Sequence, residues 1–150
     1  MKRILCLFLI VFSCTVSYAD KNQITKEDLP HFSLVLLNRY YNDVEIKYCI
    51  IDEEWWGNKE YDVYLVNGIK IEFDERGTLK SIETPIKGGI NLCLLPIKIH
   101  QYIVRNFYDY YVCSYKVKNR GRHNEQHEVN LSNNYKLTFS KNSCFVEVGK

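Results

Sequence analysis

The chain has 150 residues, with 20 Lys and Arg against 18 Asp and Glu. That length suits one ordinary domain with a real core, and a formal charge of +2 lacks the basic excess expected of a nucleic-acid-binding protein. No apolar run reaches the about 20 residues that a membrane-spanning helix needs.

Lys2 and Arg3 are followed by an apolar run from Ile4 to Phe12 and by Ser17-Tyr18-Ala19, a small-x-small pattern before Asp20. Residues 1–19 therefore read as an export signal, and the expected location is periplasmic or secreted. A lipoprotein signal ending at Cys14 fits less well, because Phe12 is bulky where small residues are expected. With residues 1–19 removed the formal charge is zero, yet it is unevenly placed. Residues 20–84 carry a net −6 and residues 85–150 a net +6. Such a division either holds two halves together or steers a charged partner.

From residue 28 onward the chain resembles itself at an offset of 66. Leu29-Pro30 returns as Leu95-Pro96, Arg39 as Arg105, and Val63, Leu65, Asn67, Lys70 and Phe73 as Val129, Leu131, Asn133, Lys136 and Phe139. A self-similarity of this length predicts one supersecondary unit used twice. In each copy a Pro opens a helix. Phe32, Val35, Leu36 and Tyr40 give the first helix an apolar stripe, and Ile99, Ile103 and Phe107 give the second.

Strands come next. Val44, Ile46, Tyr48 and Ile50 alternate with charged residues, and Tyr61–Val66 and Ile69–Asp74 flank Asn67-Gly68, a hairpin signal with positive φ expected at both turn residues. Asp74-Glu75-Arg76-Gly77 predicts another turn before a strand over Leu79–Glu83. The second half follows with Tyr110–Val117, Glu128–Ser132, Tyr135–Ser140 and Phe145–Val148, turning at Asn133-Asn134. The expected fold is α+β: two tandem repeats over residues 20–84 and 85–150, each a helix followed by a four-stranded antiparallel meander. The helices lie on one face of the sheet in a single compact domain.

The segment YDVYLVNGIKIEFDERGTLKSIE, together with Leu-Pro opening a helix, resembles the PepSY-like, β-lactamase-inhibitor-like proteins of bacteria. The likeness weakens in the second half, where Gly68, Asp74 and Gly77 become Asn134, Ser140 and Ser143. It implies export to the periplasm or cell surface, a two-repeat α+β fold like that of the β-lactamase inhibitor protein, and no catalytic residues. Binding or inhibition follows only by analogy.

Chemistry-bearing motifs are sparse. Cys49, Cys93, Cys113 and Cys144 could form disulfides in an exported chain, with three possible connectivities, and their spacing is not that of a zinc site. His123 and His127 are four apart, but on a strand that separation spans about 13 Å, which does not suit a shared metal. The sequence points to no cofactor, metal or catalytic residue. The candidate site is the open sheet face with its neighbouring tips: Trp55, Trp56, Tyr64, Tyr111 and Tyr115 as anchors, Arg120 and Arg122 as orienting charges. Another exported protein is the expected partner, and inhibition is one form such binding could take. The alternative is a glycan, peptide or other small ligand stacked on the Trp-bearing loop.

Overall fold

The computed structural model describes residues 22–53, 58–119 and 125–150. Nine strands run in sequence order across one antiparallel sheet: β1 (Asn22–Ile24), β2 (Ile46–Glu53), β3 (Lys59–Leu65), β4 (Lys70–Phe73), β5 (Leu79–Glu83), β6 (Val112–Asn119), β7 (Glu125–Leu131), β8 (Lys136–Ser140) and β9 (Phe145–Gly149). Helix α1 (His31–Tyr40) precedes β2 and helix α2 (Ile97–Asn106) precedes β6. The export signal over residues 1–19 lies outside the described residues.

The expectation of two tandem repeats, each a helix with its own four-stranded meander, is corrected by this topology. The described residues make a single nine-stranded sheet, mostly β, with two helices of ten residues each. Its middle is closed by β5 and β6, which pair Ser81 with Lys116, Ile82 with Tyr115 and Glu83 with Ser114. Two separate meanders would expose four strand edges with unpaired backbone groups, and this pairing removes two of them.

Alternation along the strands divides the sheet into two faces. One row crosses all nine strands in register: Ile24, Cys49, Val63, Ile71, Ile82, Tyr115, Val129, Leu137 and Val148. Cys49 to Leu137 in that row are buried, and they form the core together with Leu37 of α1 and Ile99 and Ile103 of α2. Pro30 and Pro96 stand directly before the helices. The predicted stripe of α2 holds, with Phe107 also packed against the core. That of α1 holds at Leu36, which packs against the core, and fails elsewhere. Phe32 and Val35 are exposed, and Ser33 and Leu37, one turn apart, face inward instead. Ser33 is tolerated there because its hydroxyl donates to the Pro30 carbonyl at 2.6 Å.

Four hairpin turns share one geometry. In each, three residues lie between the hydrogen-bonded pair that closes the turn (Leu65/Ile69, Asp74/Thr78, Leu131/Tyr135 and Ser140/Cys144), and only the third has positive φ: Gly68 (89°), Gly77 (82°), Asn134 (66°) and Ser143 (60°). Each of these four donates its N–H to the carbonyl three residues back. Asn67 therefore needs no positive φ, contrary to the two-residue turn expected from Asn-Gly; its side chain accepts from the Ile69 N–H at 3.2 Å. These are three-residue loops with a left-handed closing residue.

The four cysteines of the described residues are free thiols, so the expected disulfide is absent among them. Cys49 lies in the core row, where burial, with a smaller contribution from the Glu27 charge, pushes its thiol up to about 11.

Gly77 is the tightest of the turns. A Cβ there would lie 2.7 Å from the Ser33 backbone nitrogen and 3.0 Å from the Pro30 Cβ. Gly77→Ala is expected to lower unfolding stability by about 2 kcal/mol or more in urea denaturation, since the strained φ and the clash add. Gly88→Ala, at φ 105° but with open space around it, should lose only about 1 kcal/mol. In the opposite direction, Ser143→Gly should gain about 1 kcal/mol by relieving a left-handed serine.

Candidate functional site

The face opposite the helices is polar, and its residues are as closely registered as the core. One row runs Ile50, Asp62, Glu72, Ser81, Lys116, Glu128, Thr138 and Glu147, each directly opposite the next across β2 to β9. A second row begins Tyr48, Tyr64, Lys70, Glu83, Ser114, Asn130 and Lys136. Neither row alternates simply from its strand's start, because β2 and β6 each carry an irregularity. Lys47 and Cys113 are extra residues between registered pairs, and beyond each one the strand's faces are exchanged.

That exchange decides where the predicted anchors lie. Tyr64 is half-buried on the open face, as expected, and its ring stacks on Tyr48 with centroids 4.4 Å apart. Tyr48, read from the sequence as a core-side residue, reaches the open face because of the irregularity at Lys47. Tyr111 is exposed just before β6. Tyr115 is corrected: beyond Cys113 it turns into the core, only 4% exposed, and its hydroxyl lies 2.9 Å from His127 Nδ1. Burial, and then the charge of Glu125, raise the Tyr115 phenol above its ordinary value. Ile51 and Val117, which simple alternation from the starts of β2 and β6 would turn outward, share the face of Cys49 and Tyr115 for the same reason. Trp55, Trp56, Arg120 and Arg122 lie outside the described residues.

The residues that organise the open face are the lysines, which the sequence reading passed over. Asp62 and Glu72 are opposed across β3 and β4, an arrangement that is repulsive by itself. Lys70 resolves it by binding Asp62 at 3.2 Å and Glu72 at 2.6 Å while its ammonium sits 5.5 Å from the Tyr64 ring centroid. Lys116 approaches Glu72 from the other half of the sheet at 3.8 Å. Glu128 is gripped by Lys118 at 2.7 Å and Lys136 at 3.2 Å.

Burial opposes ionisation of Glu72 most strongly. Bonds from Lys70 and Ser81, with the charges of Lys70 and Lys116, outweigh it and leave the carboxyl below its ordinary range. At Glu128 burial is likewise outweighed, there by Lys118 and Lys136. Both groups thus stabilise the fold above the ordinary carboxylate pKa, and that contribution is lost as pH falls through their depressed values.

Charge on this face is divided. On β2 to β5 it presents Asp52, Glu60, Asp62, Glu72 and Glu83 with Lys70; on β6 to β8 it presents Lys116, Lys118 and Lys136 with Glu128. The uneven charge of the sequence becomes an acidic and a basic side of one surface. No group of three His, Cys, Asp or Glu side chains among the described residues could hold a metal ion.

Lys70→Ala should destabilise the chain by about 2 kcal/mol at neutral pH, a buried-pair loss reduced by partial exposure. Urea denaturation at pH 7 and at pH 4 checks this, and the deficit should shrink at pH 4, where Glu72, no longer held ionised by Lys70, takes up a proton and the repulsion is relieved.

The fold has solved relatives. A "putative periplasmic protein" of the DUF2874 family from Bacteroides vulgatus superposes with a TM-score of 0.76 at 21% identity, over 89% of this chain and 99% of that one. A "putative calcium-regulated periplasmic protein" from Bacteroides thetaiotaomicron gives 0.74 at 20% identity, over 86% and 96%. A second B. vulgatus protein of unknown function gives 0.71 at 20% identity, over 86% and 100%. No curated protein matches the chain. A family model described as "Putative beta-lactamase-inhibitor-like, PepSY-like" matches residues 59–147, from the first strand of the clamped carboxylates through the last edge strand, and the chain belongs to that family.

Proposed function

We propose that this chain is an exported, non-enzymatic binding protein that engages another exported protein through the open face of its sheet. Residues 1–19 and the periplasmic description of three structural neighbours support the location. The observation that carries the binding role is the Tyr48–Tyr64 stack fixed by Lys70 within a broad registered face that neither helix packs against. Tyrosines held in place beside charged groups lose little freedom on docking and are common interface anchors.

In this reading Tyr48 and Tyr64 anchor and Tyr111 contacts the partner nearby. Lys116, Lys118 and Lys136 set orientation against the acidic side of the same face. Trp55, Trp56, Arg120 and Arg122, which follow β2 and β6 in the sequence, remain proposed contacts from the sequence alone. Inhibition of the bound protein is the finer form of this role and draws on the family's description. An acid–base role for the face is disfavoured, because Glu72 and Glu128 are kept ionised by their lysines. Calcium regulation belongs to one neighbour's description and enters no part of this proposal.

Affinity capture from the host's periplasmic extract tests the reading, with residues 20–150 as bait and Tyr48→Ala/Tyr64→Ala as comparison. A protein should be retained by the first and lost with the second, and high salt should weaken its retention because the charged sides guide docking. Identical retention by both baits, or none by either, would remove the open face as the interface.

A further inference from the structure

A groove of about 520 Å³ lies at the end of the sheet where β3 begins and β6 gives way to β7. It is separate from the two rows of the open face, and no residue of α1 or α2 lines it. Its volume falls in the range of small-ligand sites, about 300–1,000 Å³.

The lining is polar but already ordered. Tyr115 and His127 are both buried, and their rings stack at an interplanar angle of 13°. His127 is bonded to the Tyr115 hydroxyl through Nδ1 and lies 3.3 Å from the Lys141 carbonyl through Nε2. Leu79 and Val117 supply apolar surface beside them. One wall holds an ion pair between Lys80 and Glu60. The rim is the Asp74–Thr78 turn, whose Asp74 carboxylate accepts from the Arg76 N–H at 2.9 Å and the Thr78 N–H at 2.8 Å. These groups need little rearrangement to receive a ligand.

The charges identify its class. Lys59, Arg76 and Lys80 stand against Glu60, Asp74, Glu75 and Glu125, so neither a phosphate nor a polycation finds a favourable field. Interleaved donors and acceptors around the apolar surface of Leu79 and Val117 suit a molecule with many hydroxyls and a weakly polar ring face. We infer that this groove binds a neutral polyhydroxylated ligand, a saccharide segment. Of the charged residues named on the open face the site shares Glu60, and it would survive the failure of that face's protein-docking role.

Backbone amide shift mapping by NMR tests it, using cellotetraose and the tetramer of N-acetylglucosamine as probes and ADP as the anionic comparison. One of the two saccharides should produce saturable shifts at residues 74–78 and 115–119 at concentrations up to about 10 mM, with ADP weaker. Arg76→Ala and Glu125→Gln should each weaken that binding about tenfold, the cost of losing a hydrogen bond to a charged group, while Tyr64→Ala leaves it unchanged. Absence of saturable shifts with both saccharides, stronger binding of ADP, or binding unaffected by the two groove variants would each overturn the inference.

Discussion

The pairing of β5 with β6 is the constraint on which the rest depends. Three registered pairs, Ser81 with Lys116, Ile82 with Tyr115 and Glu83 with Ser114, join two groups of strands into one sheet. Through Ile82 and Tyr115 the core row continues unbroken, so the residues beneath α1 and those beneath α2 belong to one hydrophobic layer. On the other face the same step sets Lys116 beside Glu72 and brings the acidic strands against the basic ones. Two independent layers would have possessed neither a shared core nor a polarised surface.

The open face shows how strand geometry turns an unfavourable pattern into an ordered one. Two carboxylates directly opposed on neighbouring strands repel, and partial burial makes the repulsion stronger. A lysine two residues along β4 from Glu72, on the same face, reaches both and is itself positioned by the Tyr64 ring. The tyrosines are therefore part of an electrostatic lattice and not isolated exposed rings. Their orientation is set within the chain itself, by the ring stack and the Lys70 ammonium.

Much of this was legible in the sequence, and the exceptions share a cause. The strands and turn positions follow from alternation and from Gly and Asn at the turns, which report local backbone demands. The stripe of α2 was plain, because Ile99, Ile103 and Phe107 are all apolar. That of α1 was obscured by Ser33, although moving the α2 residues back by 66 positions lands on Ser33, Leu37 and Tyr41, the residues that turn inward or pack against the core. Tyr115 was misplaced because a single extra residue, Cys113, exchanges the faces of β6, and alternation alone carries no mark of such an insertion. Lys70 was overlooked for a different reason. Its significance lies in which carboxylates face each other across β3 and β4, and only registration reveals that.

The contact between Gly77 and the first turn of α1 bears on the order in which the molecule assembles. A helix of ten residues is marginal in water by itself, and the surface that seats its N-terminal turn belongs to a hairpin much later in the chain. As the polypeptide emerges, the first turn of α1 lacks this seat until β4 and β5 have turned back on each other. The start of α1 therefore gains its full set of contacts only once that later hairpin is in place.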